Sequence, residues 1–207
     1  MHDAMKTFAL FAAAAATALT LAACQKKDAQ PDPADPGTSN EAVNAVQDAT
    51  AAAVGAVAAN TIGQVSTDDF VTNAAISDMY EIEAGKIAST KGRSADVKAF
   101  GKMMVADHTR MANDMKPLVS AAGKTPPTGL DERRKGMIDN LNAAKPEDFD
   151  NAYLSQQEAA HSEALDLMKG YADKGDDIGL KGAAAKAVPT IQAHLDKVRA
   201  LQAAGPK

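Results

Sequence analysis

Residues 94–122 read SADVKAFGKMMVADHTRMANDMKPLVSAA, and this stretch decides the fold. Val97, Phe100, Met104, His108, Met111, Met115 and Leu118 recur at steps of three and four, which draws one continuous stripe along an α-helix. Ser94 stands where a helix starts and Gly123 where one stops. The methionines at this spacing read as core packing rather than as soft-metal ligands. His108 is the one residue on the stripe that does not belong to an apolar seam.

Three further segments repeat the pattern on either side. Ser66-Thr67-Asp68-Asp69 caps a helix that ends near Lys91-Gly92 and lines up Phe70, Ala74, Ser77, Glu81, Ala84 and Ala88. After the break at Thr125-Pro126-Pro127-Thr128-Gly129, a short helix is expected from Leu130 to Ala143. Pro146 has the place of a first-turn proline and opens a third long helix to Lys174-Gly175, with Phe149, Tyr153, Gln157, His161, Ala164, Met168 and Tyr171 inward. The fourth, from Asp176 to about Ala203, aligns Leu180, Ala184, Ala187, Ile191, His194, Val198 and Leu201 around an internal Pro189. No strand pattern or internal repeat interrupts this order. The expectation is an all-α fold: a four-helix bundle over residues 66–204, with a short additional helix between the second and third long helices.

Composition agrees and narrows the chemistry. A chain of 207 residues supports one domain with a core, and with aromatics at 4% and no Trp that core is packed by small side chains. A net charge of -5 without a long basic run argues against a nucleic-acid partner. The single Cys excludes an internal disulfide and a cysteine-based zinc site. No glycine-rich phosphate loop is present, and no Ser stands in a recognisable arrangement with His and Asp, so no catalytic residue is assigned.

Each long helix places one ionisable residue on its own apolar face: Glu81, His108, His161 and His194. All four lie near mid-helix, and mid-helix positions meet in an up-down bundle. Three imidazoles and a carboxylate offer a site for one transition-metal ion, tetrahedral for Zn or with open positions for Fe, Cu or Ni. Asp107 is placed to orient a ring from behind. The same residues are also satisfied without metal if the histidines hydrogen-bond Glu81, Tyr80 or Tyr153 and specify helix register, and the sequence leaves both solutions open. A di-iron centre would need two Glu-x-x-His motifs. Only Glu158-Ala159-Ala160-His161 has that spacing, and Val105 and Ile191 occupy the corresponding places before His108 and His194.

The N-terminus carries an address. Lys6 precedes an apolar run from Thr7 to Leu21, about 15 residues where a membrane-spanning helix needs roughly 20. Met5 is the alternative start. The run ends in Leu21-Ala22-Ala23-Cys24, which resembles the lipobox of bacterial lipoproteins. That resemblance implies a signal peptide over residues 1–23, acylation of Cys24 and a membrane partner reached through the lipid anchor. Gln25 resembles the pattern sorted to the outer membrane, facing the periplasm, in Gram-negative hosts. Residues 24–65 then read as a flexible tether. The stretch 25–40 has three Pro and no apolar residue larger than Ala, and 41–62 is an Ala/Val-rich marginal helix or low-complexity linker.

Four motifs carry a resemblance over residues 67–203: Tyr80-Glu81-Ile82-Glu83-Ala84-Gly85-Lys86-Ile87-Ala88; Val97-Lys98-Ala99-Phe100 with Met104-Val105-Ala106-Asp107-His108; Phe149-Asp150 with Tyr153-Leu154 and His161; and Val188-Pro189 with His194. Together they resemble a bacterial family of unassigned function in the ferritin-like superfamily, whose members are often labelled exported or outer-membrane proteins. The resemblance implies a ferritin-like four-helix fold and no established activity. The expected protein is non-enzymatic: a lipid-anchored cell-envelope bundle with a mid-bundle site for a single metal ion. The alternatives are a metal-dependent oxidoreductase of ferritin-like type and a metal-free structural scaffold.

Overall fold

A computed structural model of the chain describes residues 65–205. The signal segment 1–23, Cys24 and the tether up to residue 64 lie outside the described residues. Five helices follow in order: α1 (Thr67–Lys91), α2 (Ala95–Ala121), α3 (Glu132–Ala143), α4 (Phe149–Lys174) and α5 (Ile178–Ala204). No strand occurs among the described residues, and no helix there is long and apolar enough to cross a membrane.

Local side chains set the helix starts. The Ser66 hydroxyl accepts from the Asp69 amide at 3.1 Å and that of Ser94 from Val97 at 3.0 Å, so α1 and α2 begin where their caps stand. The carboxylates of Asp131 and Asp177 do the same for Arg134 and Leu180, at 2.6 and 2.8 Å, which moves the starts of α3 and α5 to Glu132 and Ile178. The expected start of α4 at Pro146 is displaced to Phe149. Pro146 sits inside a lead-in turn in which the amides of Asp148 and Phe149 both reach the Lys145 carbonyl, at 3.1 and 3.0 Å. A residue without an N–H loses nothing there. At the far end of α2, Gly123 takes φ 67, and the Lys124 amide closes back on the Val119 carbonyl at 3.0 Å.

The four long helices enclose the core. α1 lies along α2 and α4 along α5, while α1 also meets α4 and α2 meets α5; α3 leans on α1 and α4. The α1–α2 pair is closest at Gly85 and Gly101, where a Cβ on either residue would stand 2.7 Å from the other's carbonyl oxygen. Backbone therefore packs on backbone at that crossing. Every expected inward residue of α1 and α4 is buried. On α2 the stripe is buried only from Val97 to His108, and Met111, Met115 and Leu118 are half-buried. Pro117 and Pro189 both lie within continuous helices.

Polar contacts fix the ends and the short helix. Phe70 stacks on Tyr171 with ring centroids 3.9 Å apart, and the Thr67 hydroxyl bonds both Tyr171 and Asp176. Lys91 reaches the carbonyls of Leu141 and Asn142 at 3.0 and 2.7 Å, placing a cation at the C-terminus of α3. Arg133 and Arg134 both bind the Glu163 carboxylate on α4. Asp150 accepts from the amides of Arg93 and Ser94 at 2.8 and 2.9 Å, which holds the α1–α2 turn against α4.

Candidate metal centre

His108 on α2, His161 on α4 and His194 on α5 converge at 2%, 1% and 3% exposure. One ring nitrogen from each lies within 4.8 Å of those of the other two. The ring centroids are 5.3 to 5.6 Å apart, and Phe100 presents its ring to His161 and His194 at 6.4 and 6.5 Å. Chain geometry explains the meeting: each residue is on the buried stripe of its own helix at a similar height.

The outer nitrogen of each ring has a partner, and that partner determines where the lone pair goes. His161 Nδ1 lies 2.9 Å from the Gln157 carbonyl, which only accepts, so Nδ1 carries the hydrogen and Nε2 the lone pair. His194 Nε2 lies 3.0 Å from Asp107 Oδ2. Burial works to raise the Asp107 pKa, but hydrogen bonds from Arg110 and His194 outweigh it and hold the carboxyl below its usual range. Asp107 is then an acceptor, and His194 Nδ1 keeps its lone pair. His108 Nδ1 lies 2.9 Å from Asp78 Oδ1, while His108 Nε2 has no hydrogen-bond partner. Burial raises Asp78 to about 7, so above that pH the carboxylate accepts from His108 Nδ1 and the third lone pair is free as well.

Burial also pushes the His108 and His194 pKa values down to about 4, which keeps both rings neutral at pH 7. Neutral imidazole is the form that binds metal. The inward nitrogens His161 Nε2 and His194 Nδ1 are 3.3 Å apart. Two nitrogens bound to one tetrahedral zinc at about 2.0–2.1 Å are themselves separated by about 3.3 Å. The donor set and the spacing of this pair suit a d-block dication, with a His108 ring nitrogen within 4.8 Å of both.

Glu81 stands elsewhere. Its Oε2 accepts from Gln157 Nε2 at 2.7 Å, and its Oε1 is 3.7 Å from His161 Nδ1, the nitrogen turned away from the other rings. The structure thus brings together the three histidines and leaves the expected carboxylate one layer behind them. Asp107 lies behind the ring of His194, on another helix, at 3.0 Å. Glu158 points outward to Arg199 at 2.9 Å. Of the partners expected for a metal-free network, Tyr80 bonds Gln156 at 2.9 Å, the Tyr153 hydroxyl has no hydrogen-bond partner, and Glu81 Oε1 lies 3.7 Å from His161. Sequence reasoning missed Asp78 and the Gln157 carbonyl. Asp78 had a readable signal, since it lies one turn before Glu81 and so near the same face of α1.

Residues 50–201 match the family described as Domain of unknown function (DUF4142). The chain belongs to this family. No curated protein and no solved structure matches the chain. The DUF4142 match takes in Glu81, all three histidines and both aspartates behind them.

Proposed function

We propose that this DUF4142 protein is a lipid-anchored cell-envelope protein whose long helices form a ferritin-like four-helix bundle holding one transition-metal ion on His108, His161 and His194. The observation that carries the reading is the pair of lone-pair nitrogens facing each other at 3.3 Å in the interior. Two such nitrogens can share a proton or a metal ion, and a ring nitrogen of His108 within 4.8 Å of both offers a third donor for the metal. Asp107 supplies a negative charge behind the rings and Asp78 a second above about pH 7, which match a dication, and three imidazoles without thiolate suit Zn, Cu, Fe or Ni. The near-complete burial of the ligands supports retention of the ion over turnover at it.

The test is elemental analysis of the full untagged chain in detergent after exposure to each metal, followed by melting with and without EDTA. About one equivalent per chain and a chelator-sensitive melting point are expected. Absence of both would contradict the reading. The anchor has its own test: Cys24→Ser should release the protein from membranes, because acyl chains contribute about 0.8 kcal/mol per buried methylene. Continued membrane association of that variant would refute acylation as the anchor.

A further inference from the structure

Behind His161 lies a layer of polar side chains that the histidine centre does not use as donors. Glu81 on α1 and Tyr153 and Gln157 on α4 are 1%, 0% and 0% exposed. Gln157 Nε2 donates to Glu81 Oε2 at 2.7 Å, which turns the amide toward the carboxylate. Three oxygens are then left without a hydrogen-bond partner: Glu81 Oε1, Gln157 Oε1 and the Tyr153 hydroxyl. Tyr153 and Gln157 are one turn apart on the same face of α4. His161 does not answer Glu81, since its Nδ1 hydrogen is engaged by the Gln157 carbonyl at 2.9 Å.

A buried oxygen left unpaired is costly, and a carboxylate more so. The set is also chemically uniform. A carboxylate, an amide oxygen and a phenol, with no nitrogen or sulfur donor, is a hard donor set that suits Mg2+, Mn2+ or Ca2+ rather than the metals favoured by imidazole. Burial, and after it the charge of Glu81, holds the Tyr153 hydroxyl protonated far above its usual range, so it contributes a neutral oxygen.

We infer that Glu81 Oε1, Gln157 Oε1 and the Tyr153 hydroxyl form a second, oxygen-lined cation site for a hard divalent ion, with water completing its shell. Its three oxygens are not donors of the histidine centre, which they adjoin through His161: Glu81 Oε1 lies 3.7 Å from His161 Nδ1. The probe is Mn2+ alone, added to the full chain after the histidines have been filled with Zn2+, with free Mn2+ followed by electron paramagnetic resonance. One Mn2+ per chain is expected, with affinity falling at least tenfold in Glu81→Gln and in Tyr153→Phe and unchanged in His108→Ala. No uptake by the unsubstituted protein, or uptake that Glu81→Gln leaves intact because surface carboxylates hold the ion, overturns the inference. If the substitutions disturb folding, crystals of the unsubstituted protein soaked in Mn2+ decide the matter. An anomalous peak beside Glu81 is expected, and ordered water alone at that place overturns it. Failure of the chain to bind Zn2+ would remove the histidine proposal and leave the Mn2+ result to be judged by itself.

Discussion

His161 Nε2 and His194 Nδ1 face each other at 3.3 Å, each ring having committed its other nitrogen, one to the Gln157 carbonyl and one to Asp107. Two lone pairs at this distance would repel, and a shared proton or a metal ion between the rings makes the contact favourable. If a metal ion fills the centre as proposed, its binding and the folding of the helical domain are linked.

That linkage sets the size of the metal effect on stability. Zinc at 100 times its dissociation constant should add about 2.7 kcal/mol, a rise of several degrees in Tm for a domain of this size. His161→Ala and His194→Ala should abolish the rise. Melting curves with and without zinc check it, and an equal rise in either variant would contradict the ligand assignment.

The groups behind the rings should divide sharply. Asp107→Asn and Asp78→Asn each remove an acceptor that fixes a ring, and each should weaken metal affinity by about 10- to 100-fold. Glu81→Gln should change zinc affinity by less than about threefold, because Glu81 faces the wrong side of His161. Competition with a chromophoric chelator measures all three. A Glu81→Gln loss as large as that of Asp107→Asn would restore Glu81 to the ligand set.

Stability of the metal-free protein should fall on mild acidification. His108 and His194 are depressed to about 4 from 6.5, so their contribution is present above pH 6.5 and is lost as the pH falls toward 4. Asp78, raised to about 7, acts in the opposite sense: it is protonated in the native state and ionised in the unfolded chain over the same window. The unfolded chain gains two protons on the imidazoles and lacks the one on Asp78, a net of one. Denaturant melts between pH 5 and 6 should therefore lose about 1.4 kcal/mol per pH unit. Asp78→Asn should roughly double that slope. A flat profile for the unsubstituted protein would refute the neutral-imidazole assignment.

The α1–α2 crossing offers a purely structural prediction. Gly101→Ala would put a methyl group 2.7 Å from the Gly85 carbonyl oxygen and 2.9 Å from the Ser89 amide nitrogen. Forced separation of the helices should cost about 1–3 kcal/mol despite the better helix propensity of Ala. Thermal denaturation of Gly101→Ala checks this, and a stabilised variant would show that the crossing is looser than the structure has it.

The fold was legible where caps and period agree. Ser66 and Ser94 stand directly before apolar stripes, and α1 and α2 begin there. The starts of α3 and α5 shifted because Asp131 and Asp177, rather than the residues just before them, make the capping bond. Pro146 belongs to a turn that resembles a first helical turn in sequence. At the centre, helical spacing revealed that three histidines point inward at one height, because that depends only on which face each residue occupies. Spacing groups Glu81 with the histidines because it cannot show which ring nitrogen faces inward; Glu81 Oε1 lies 3.7 Å from the His161 nitrogen turned away from the other rings. Asp78 lies off the fully buried stripe of α1, so helical spacing alone does not single it out. The Gly85–Gly101 approach was invisible in one dimension, since it exists only between two helices.

The most direct measurement is X-ray absorption at the zinc edge on the full chain carrying one equivalent of zinc. Three imidazole nitrogens at about 2.0–2.1 Å, with the imidazole count falling in His194→Ala, is the result expected. A shell dominated by carboxylate oxygens, or one unchanged by that substitution, would contradict the three-histidine centre.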